Sequence, residues 1–380
     1  MAPEIALRRL EPLPKEAVVL DPMVGSGTSL KIAGMVGCKG IGFDVDPMAL
    51  LISSVWNTPV DTDEVLSLAG KILEQACKMS DVPELLWIDS ETETSEFVRF
   101  WFAKEQADDL RRLSSLIYPM RGPESDVLRI ALSRLIVTKR RGASLGRDIS
   151  HSRPHKVSEL NDYQVLPGFE RSVYQVCKIL NSNPGSGLAS VRKGSAKHMD
   201  SLSDQSVDYI MTSPPYFTAV DYFRGHRLAL VWLGYSLAAL RALRGSSIGL
   251  YRIPDKALDS ELIEELHREV KHIPALKPKV QSVLRRYSMD LFEISQEFFR
   301  VLKSGGRMTV VLADSYSSGL LINNTQIFKN AARLAGFHFE EVEERPIVAT
   351  KRYLPPPGDS SGNSLANRMK TEAIMTFLRK

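Results

Sequence analysis

The sequence predicts an α/β protein with a doubly wound, Rossmann-like sheet carrying helical insertions. Three observations carry this. Val18-Val19-Leu20 runs into a glycine turn, Asp21 to Thr28, and then a helix-compatible stretch from Ser29 to Val36, giving strand, turn and helix in sequence. About twenty residues on, Gly40 to Pro47 reads as a second strand ending in carboxylates, at the spacing that doubly wound sheets use for a nucleoside. Near the other end, helix, glycine and strand recur: Met289 to Leu302 stops at Lys303-Ser304-Gly305-Gly306, and Met308 to Ala313 follows as a strand.

The remaining elements follow in order. Asp46 is placed to cap a helix beginning at Pro47 or Met48. Apolar residues at three- and four-residue spacing predict helices over Asp63 to Met79, Ser95 to Ser115 and Ser125 to Lys139. The turn cluster Asn181 to Gly187 precedes a third strand, Ala189 to Arg192, and Val207 to Met211 is the fourth. Thr325 to Ala335 is a helix closed by Gly336, Phe337 to Val342 a sixth strand and Ala373 to Leu378 a seventh, with Lys351 to Gly358 a loop between the last two. Five segments result: core over 1–56, a mainly helical insertion over 57–187, core again over 188–217, a second insertion over 218–290, and the last part of the core over 291–380.

The glycine turn is neither of the two common phosphate loops. A P-loop would need longer spacing between its glycines and a Lys-Ser/Thr pair after the second, and a dinucleotide fingerprint would need glycine where Leu30 stands. Asp44 can accept hydrogen bonds from both ribose hydroxyls of a nucleoside cofactor. The fourth strand ends in Thr212-Ser213-Pro214-Pro215-Tyr216, where a hydroxyl, two prolines and an aromatic make a stiff, hydrogen-bonding and stacking pocket suited to an extruded base. Pro-Pro is also an ordinary way to stop a strand.

Taken in order, DPMVGSGT, GFDVDP and SVDYIMTSPPY resemble the S-adenosylmethionine-dependent amino-methyltransferases of DNA, of the SPPY type, and most of all their cytosine-N4 branch. The resemblance implies a class I methyltransferase fold, a seven-stranded mixed sheet. It implies Asp21, Pro22, Met23, Gly25, Ser26, Gly27, Thr28, Asp44, Val45 and Ser195 as contacts of S-adenosylmethionine, with Ser195 standing where the family often has Asp. It also implies Ser213, Pro214, Pro215 and Tyr216 as the catalytic loop. There the Ser213 oxygen and the Pro214 carbonyl accept the amine hydrogens while Tyr216 stacks on the flipped base. Adenine-N6 methylation, RNA base methylation and a catalytically silent DNA-binding subunit are the alternatives. In many such enzymes a segment ahead of the glycine turn lines the methionine end of the cofactor, whereas here about seventeen residues precede the first strand, Pro3 to Leu10 being the candidate for that wall.

Composition bounds the partners. Net charge is +4, from 49 basic against 45 acidic residues, so attraction to a polyanion must be local. The stretch from Thr138 to Lys156 holds six Lys or Arg against one Asp, and Lys139, Arg140, Arg141, Arg147 and Arg153, with Arg224 and Arg227 after the catalytic loop, are the candidate DNA contacts. Phe223 and Arg241 belong to the same aromatic and basic mixture, while Leu228 to Leu233 reads as packing. Leu258 to Arg286, broken by Pro274 and Pro278, is the candidate target-recognition segment. Pro154 between His151 and His155 argues against a metal pair, and Cys38, Cys77 and Cys177 read as apolar packing residues. No metal is assigned. The expectations are a cytoplasmic monomer or homodimer without membrane association, partnered by DNA and a cognate restriction enzyme.

Overall fold

The computed structural model describes residues 1–136, 138, 142–146, 156–217, 222–245, 248, 259–317, 320–347 and 371–380. Its strands are β1 Val18–Asp21, β2 Lys39–Asp44, β3 Ala189–Lys193, β4 Val207–Thr212, β5 Leu302–Leu312, β6 Ser315–Ser317, β7 Leu320–Ile322, β8 His338–Pro346 and β9 Thr371–Leu378. Its helices are α1 Pro3–Leu10, α2 Thr28–Met35, α3 Pro47–Asn57, α4 Thr62–Lys78, α5 Leu86–Asp89, α6 Thr92–Trp101, α7 Lys104–Ile117, α8 Pro123–Ile136, α9 Val165–Ser182, α10 Tyr222–Leu230, α11 Leu237–Gly245, α12 Ser260–Leu266, α13 Pro278–Val301 and α14 Asn324–Leu334.

Seven strands form one sheet in the order β3-β2-β1-β4-β5-β9-β8. β1 pairs parallel with β2 and β4, β2 with β3, and β4 with β5, while β9 runs antiparallel between β5 and β8. This is the mixed, Rossmann-like sheet of class I methyltransferases. The chain moves outward from β1 to β3 and then returns to the far side of β1 as β4, so the order reverses between β1 and β4. The carboxyl ends of those two strands border the crevice where open α/β sheets take their ligands. The central strands are apolar because both faces are covered: Leu20, Ile210, Met308 and Met375 lie in one core cluster with α13 and α14, and Val19, Met211, Val311 and Ile374 in another with Ile5 and Leu10 of α1. Ion pairs fasten α1 to the edge strand β8 through Arg8–Glu343 at 2.7 Å and Arg9–Glu341 at 2.5 Å. No described helix is long and apolar enough to cross a membrane.

Helices α3 to α9 fill the excursion between β2 and β3 and share a core containing Leu110, Leu128 and Phe169. The helix expected over Ser95 to Ser115 is two helices. Phe102 takes extended angles, φ −134° and ψ 134°, and is buried with its ring edge-on to Trp232 at 5.0 Å. Burying that side chain in the layer outweighs one more turn of helix. At the exit of the layer, the Lys31 ammonium of α2 donates to the carbonyls of Trp56 (3.1 Å), Asn183 (3.0 Å) and Pro184 (2.6 Å).

Residues 218–290, read as one insertion, divide between two cores. Leu228, Leu230, Val231, Trp232 and Leu240 join the helical layer, as the apolar spacing there predicts, whereas Ile263, Leu266, Val280 and Leu284 join the sheet's core. The boundary at 290 falls inside α13, because Pro278 begins that helix rather than breaking one. β5 likewise starts earlier than expected. Through the supposed helix stop the Gly305 amide donates to the Arg379 carbonyl at 2.7 Å and the Arg379 amide to the Gly306 carbonyl at 3.0 Å, with Gly305 at φ +77°. The short β6–β7 pair carries too little alternation to be read from sequence. Cys38 and Cys177 are buried but Cys77 is exposed, so only the first two are packing residues. The loop Lys351 to Gly358 lies outside the described residues.

Candidate active site at the β1–β4 crevice

The glycine turn is organised around Asp21, at the end of β1. Its carboxylate accepts from the Thr212 hydroxyl at 2.9 Å, from the Met23 amide at 3.2 Å and from the Ser29 hydroxyl. Burial, opposed by those bonds and by the chain's terminal ammonium nearby, raises the carboxyl from its ordinary value to about 6. Asp21, expected among the cofactor contacts, is turned inward with its bonds spent on the protein: it braces the turn and joins it to β4. Pro22 is buried beneath the turn, Met23 packs against the sheet's core and Ser26 is exposed at the tip.

Gly25 and Gly27 have φ of +50° and +77°, values that only glycine adopts freely. A Cβ on Gly27 would strike the Ser53 hydroxyl at 2.5 Å, so α3 and the turn are in backbone contact there. A Cβ on Gly25 would meet nothing within 4 Å, leaving open space on the ligand side of the turn. Gly27 caps α2 without any side-chain bond, and Thr28 opens the helix with its hydroxyl 3.1 Å from that of Ser26. The first amides of α2 thus face the crevice.

Asp44 ends β2 half-buried beside this space. It accepts from the Gly25 amide at 3.0 Å and the Asp46 amide at 2.9 Å, and desolvation pushes its carboxyl up. A carboxylate has acceptor sites beyond the backbone donors that hold it, so Asp44 is oriented by the chain and able to take ligand hydroxyls. Val45 lies half-buried beside it. Gly194 donates to the Asp44 carbonyl at 3.0 Å, and a Cβ on it would press on Phe43 at 2.7 Å. Ser195 therefore stands next to Asp44, its hydroxyl accepting from the Lys197 amide at 3.3 Å. Open space at Gly25, a poised carboxylate and a hydroxyl at Ser195 fit the sugar and base of a nucleoside cofactor. Asp46 caps α3 by accepting from the Met48 amide at 2.9 Å, as expected, and its other oxygen lies 2.5 Å from His226 Nδ1 on α10.

Across the crevice, Ser213 follows Thr212 off the end of β4. Its hydroxyl donates to the Val311 carbonyl of β5 at 2.9 Å. The one hydroxyl proton is thereby committed to the scaffold, and the lone pairs are left to accept. Pro214 is buried and Tyr216 half-buried against the sheet's core. The Pro215 carbonyl accepts from the hydroxyl of Tyr287 on α13 at 3.1 Å, and Phe217 is buried with its ring 5.6 Å from that of Tyr287.

Sequence reasoning missed Tyr287 and the Asp46–His226 pair. The signal for Tyr287 was present: a tyrosine on a helical stripe otherwise made of Val280, Val283, Leu284, Leu291 and Ile294 must find a partner for its hydroxyl. Of the candidate DNA contacts, Lys139, Arg140, Arg141, Arg147 and Arg153 lie outside the described residues, and Arg224 is exposed on α10. Arg227 is half-buried with its guanidinium 5.1 Å above the Phe97 ring, which makes it a packing residue of the helical layer. Phe223 is buried and presents no surface for a base, whereas Arg241 is exposed and paired with Glu93.

No family model matches the chain. The sequence is 23% identical over 369 residues to the type II methyltransferase M.AvaI of Nostoc sp., covering 85% of this chain and 74% of that one. It is 23% identical over 271 residues to type II methyltransferase M.BsoBI of Geobacillus stearothermophilus, with 62% and 51% covered, and 24% over 249 residues to M.MvaI of Kocuria varians, with 58% and 51% covered. Against the last two it spans about half the relative's length. Among solved structures, a TehB-like S-adenosylmethionine-dependent methyltransferase from Corynebacterium glutamicum overlaps 99% of this chain and 88% of its own, at 9% identity and a TM-score of 0.32. The relatives uphold the resemblance drawn from the glycine turn and the SPPY loop.

Proposed function

We propose that this protein methylates DNA, transferring a methyl group from S-adenosylmethionine to the exocyclic N4 amine of a flipped cytosine, as the modification enzyme of a restriction–modification pair. The observation that carries this is the Ser213 hydroxyl. A cytosine amine is a poor nucleophile because its lone pair is delocalised into the ring, and a hydroxyl whose proton already belongs to Val311 can only accept from that amine. With the Pro214 carbonyl as second acceptor, both amine hydrogens are held and the nitrogen is drawn towards tetrahedral geometry. The proline ring fixes that carbonyl in advance, so little ordering is left to be done during reaction. Tyr216 stacks on the extruded base. The sulfonium of the bound cofactor supplies an activated methyl group, and the protein contributes orientation and hydrogen-bond acceptance. Asp44 holds the ribose, the Gly25–Thr28 turn gives the backbone close approach, and Ser195 addresses the adenine end. The Thr212–Asp21 bond, at 2.9 Å, sets the spacing between donor and acceptor sites. Exposed Arg224 and the basic stretch from Thr138 to Lys156 contact phosphates.

Incubation with methyl-labelled S-adenosylmethionine and, in parallel, duplex DNA and RNA, followed by digestion to nucleosides, tests the reading: label is expected in N4-methyl-2′-deoxycytidine from the DNA. Label in N6-methyladenine would move the assignment to the adenine branch, since the same two acceptors suit that amine. Label in RNA alone would overturn the DNA substrate, and no transfer to either would overturn the activity.

A further inference from the structure

Resting on the catalytic reading of the SPPY loop, we propose that Tyr287 is its positioning residue, a phenol that holds the loop backbone at the Pro215 carbonyl while its ring packs on Phe217. Its hydroxyl donates to the Pro215 carbonyl at 3.1 Å, and its ring packs 5.6 Å from that of Phe217. One O–H group thus occupies the place of a neighbouring strand's amide, pairing a carbonyl where the loop has left β4. Both rings of the clamp are inside: Phe217 is 0% and Tyr287 2% exposed. The phenol's side of the bond is therefore closed to solvent. Desolvation, with Tyr216, Asp290 and Asp314 nearby, pushes the phenol's ionisation far upward, so it remains a donor wherever the protein is folded.

The consequence for catalysis is directional. Ser213 is fixed from β5 and Pro215 from α13, and the Pro214 carbonyl lies between these anchors. Loss of the second anchor lets the Pro214–Pro215 peptide tilt while leaving Asp44 and the glycine turn untouched. Transition-state geometry suffers and cofactor binding does not.

Tyr287→Phe keeps the buried ring and removes only the hydroxyl. Two measurements on the full chain test the proposal. Hydrogen exchange at the Phe217 amide is expected to accelerate about tenfold or more, the scale of one lost buried hydrogen bond, and unchanged protection would overturn the clamp. Turnover is expected to fall about tenfold, with cofactor affinity and KM for DNA within about twofold of wild type. Unchanged kcat, or a loss of kcat matched by an equal loss of cofactor affinity, would overturn the positioning role. Phe217→Leu provides the control: it loosens ring packing but keeps the bond from the phenol to the Pro215 carbonyl, so Phe217→Leu must retain more turnover than Tyr287→Phe. If the wild type transfers no methyl group to nucleic acid, the functional reading fails, and the exchange measurement still decides whether the clamp exists.

Discussion

The two loops that face each other across the β1–β4 crevice are held in opposite ways. The glycine turn is tied mainly by near neighbours, Asp21 to Met23 and Ser29 and Gly25 to Asp44, with a single long-range bond described for it, from Thr212 to Asp21. The SPPY loop is tied from far along the chain, with Ser213 on Val311 and Pro215 on Tyr287. A loop of the first kind forms with its own strand–turn–helix unit. The second kind has no geometry until β5 and α13 have docked. On the proposed function, affinity for the cofactor then depends mainly on local structure, and the methyl-acceptor site on the assembled sheet.

The largest test of this contrast is Ser213→Ala. It removes an acceptor from the reacting amine and leaves the Val311 carbonyl unpaired. Turnover is expected to drop on the order of 100-fold or more, with cofactor affinity within about twofold, measured by single-turnover transfer and calorimetry. A fall in cofactor affinity of similar size would erase the distinction between the loops.

Next is the pH dependence of Asp21, whose carboxylate ties the glycine turn to the end of β4 through the Thr212 hydroxyl. Its folded value of about 6 lies above its ordinary 3.8, so its contribution to stability is fully present below about pH 4 and is lost as pH rises through 6. Denaturant titrations of wild type and Asp21→Asn at pH 4 and 7 are expected to show wild type losing ground by up to about 3 kcal/mol across that range. A constant difference between the two proteins would place the carboxyl in a more solvated setting than this.

The smallest of the three is Asp44→Ala, which removes an acceptor for ligand hydroxyls and frees the Gly25 amide. Cofactor affinity is expected to weaken about tenfold while kcat at saturating cofactor changes by less than about threefold. Equal loss in kcat would mean that the glycine turn reaches into the chemistry.

The same contrast explains what could be read from the sequence. Asp21 to Thr28, Asp44 and the Asp46 cap are legible because the residues that shape them lie within one supersecondary unit, where glycine φ and capping chemistry are local. SPPY is legible as a motif, yet its anchors are not, because nothing in Val311 as a strand residue or Tyr287 as a helix residue marks them as partners of residues 98 and 72 positions away. Seven strands could be placed from apolar runs and turns. The break at Phe102 and the continuity of α13 through residue 290 could not, since both are decided by which core the side chains enter. Arg227 shows the same limit on the surface side: a basic residue beside a catalytic loop looks like a phosphate contact until Phe97 is found beneath it.

Lys31 gives the long excursion between β2 and β3 a simple topological status. Its single ammonium touches carbonyls at both ends of that excursion, Trp56 on the way out and Asn183 and Pro184 on the way back. For the sheet, everything between is one closed loop whose mouth is a side chain wide, and the entropy of closing a loop grows only logarithmically with its length. The helical layer is thus a module hung from a fixed doorway: its size and shape can change without changing the distance the core must bridge from β2 to β3.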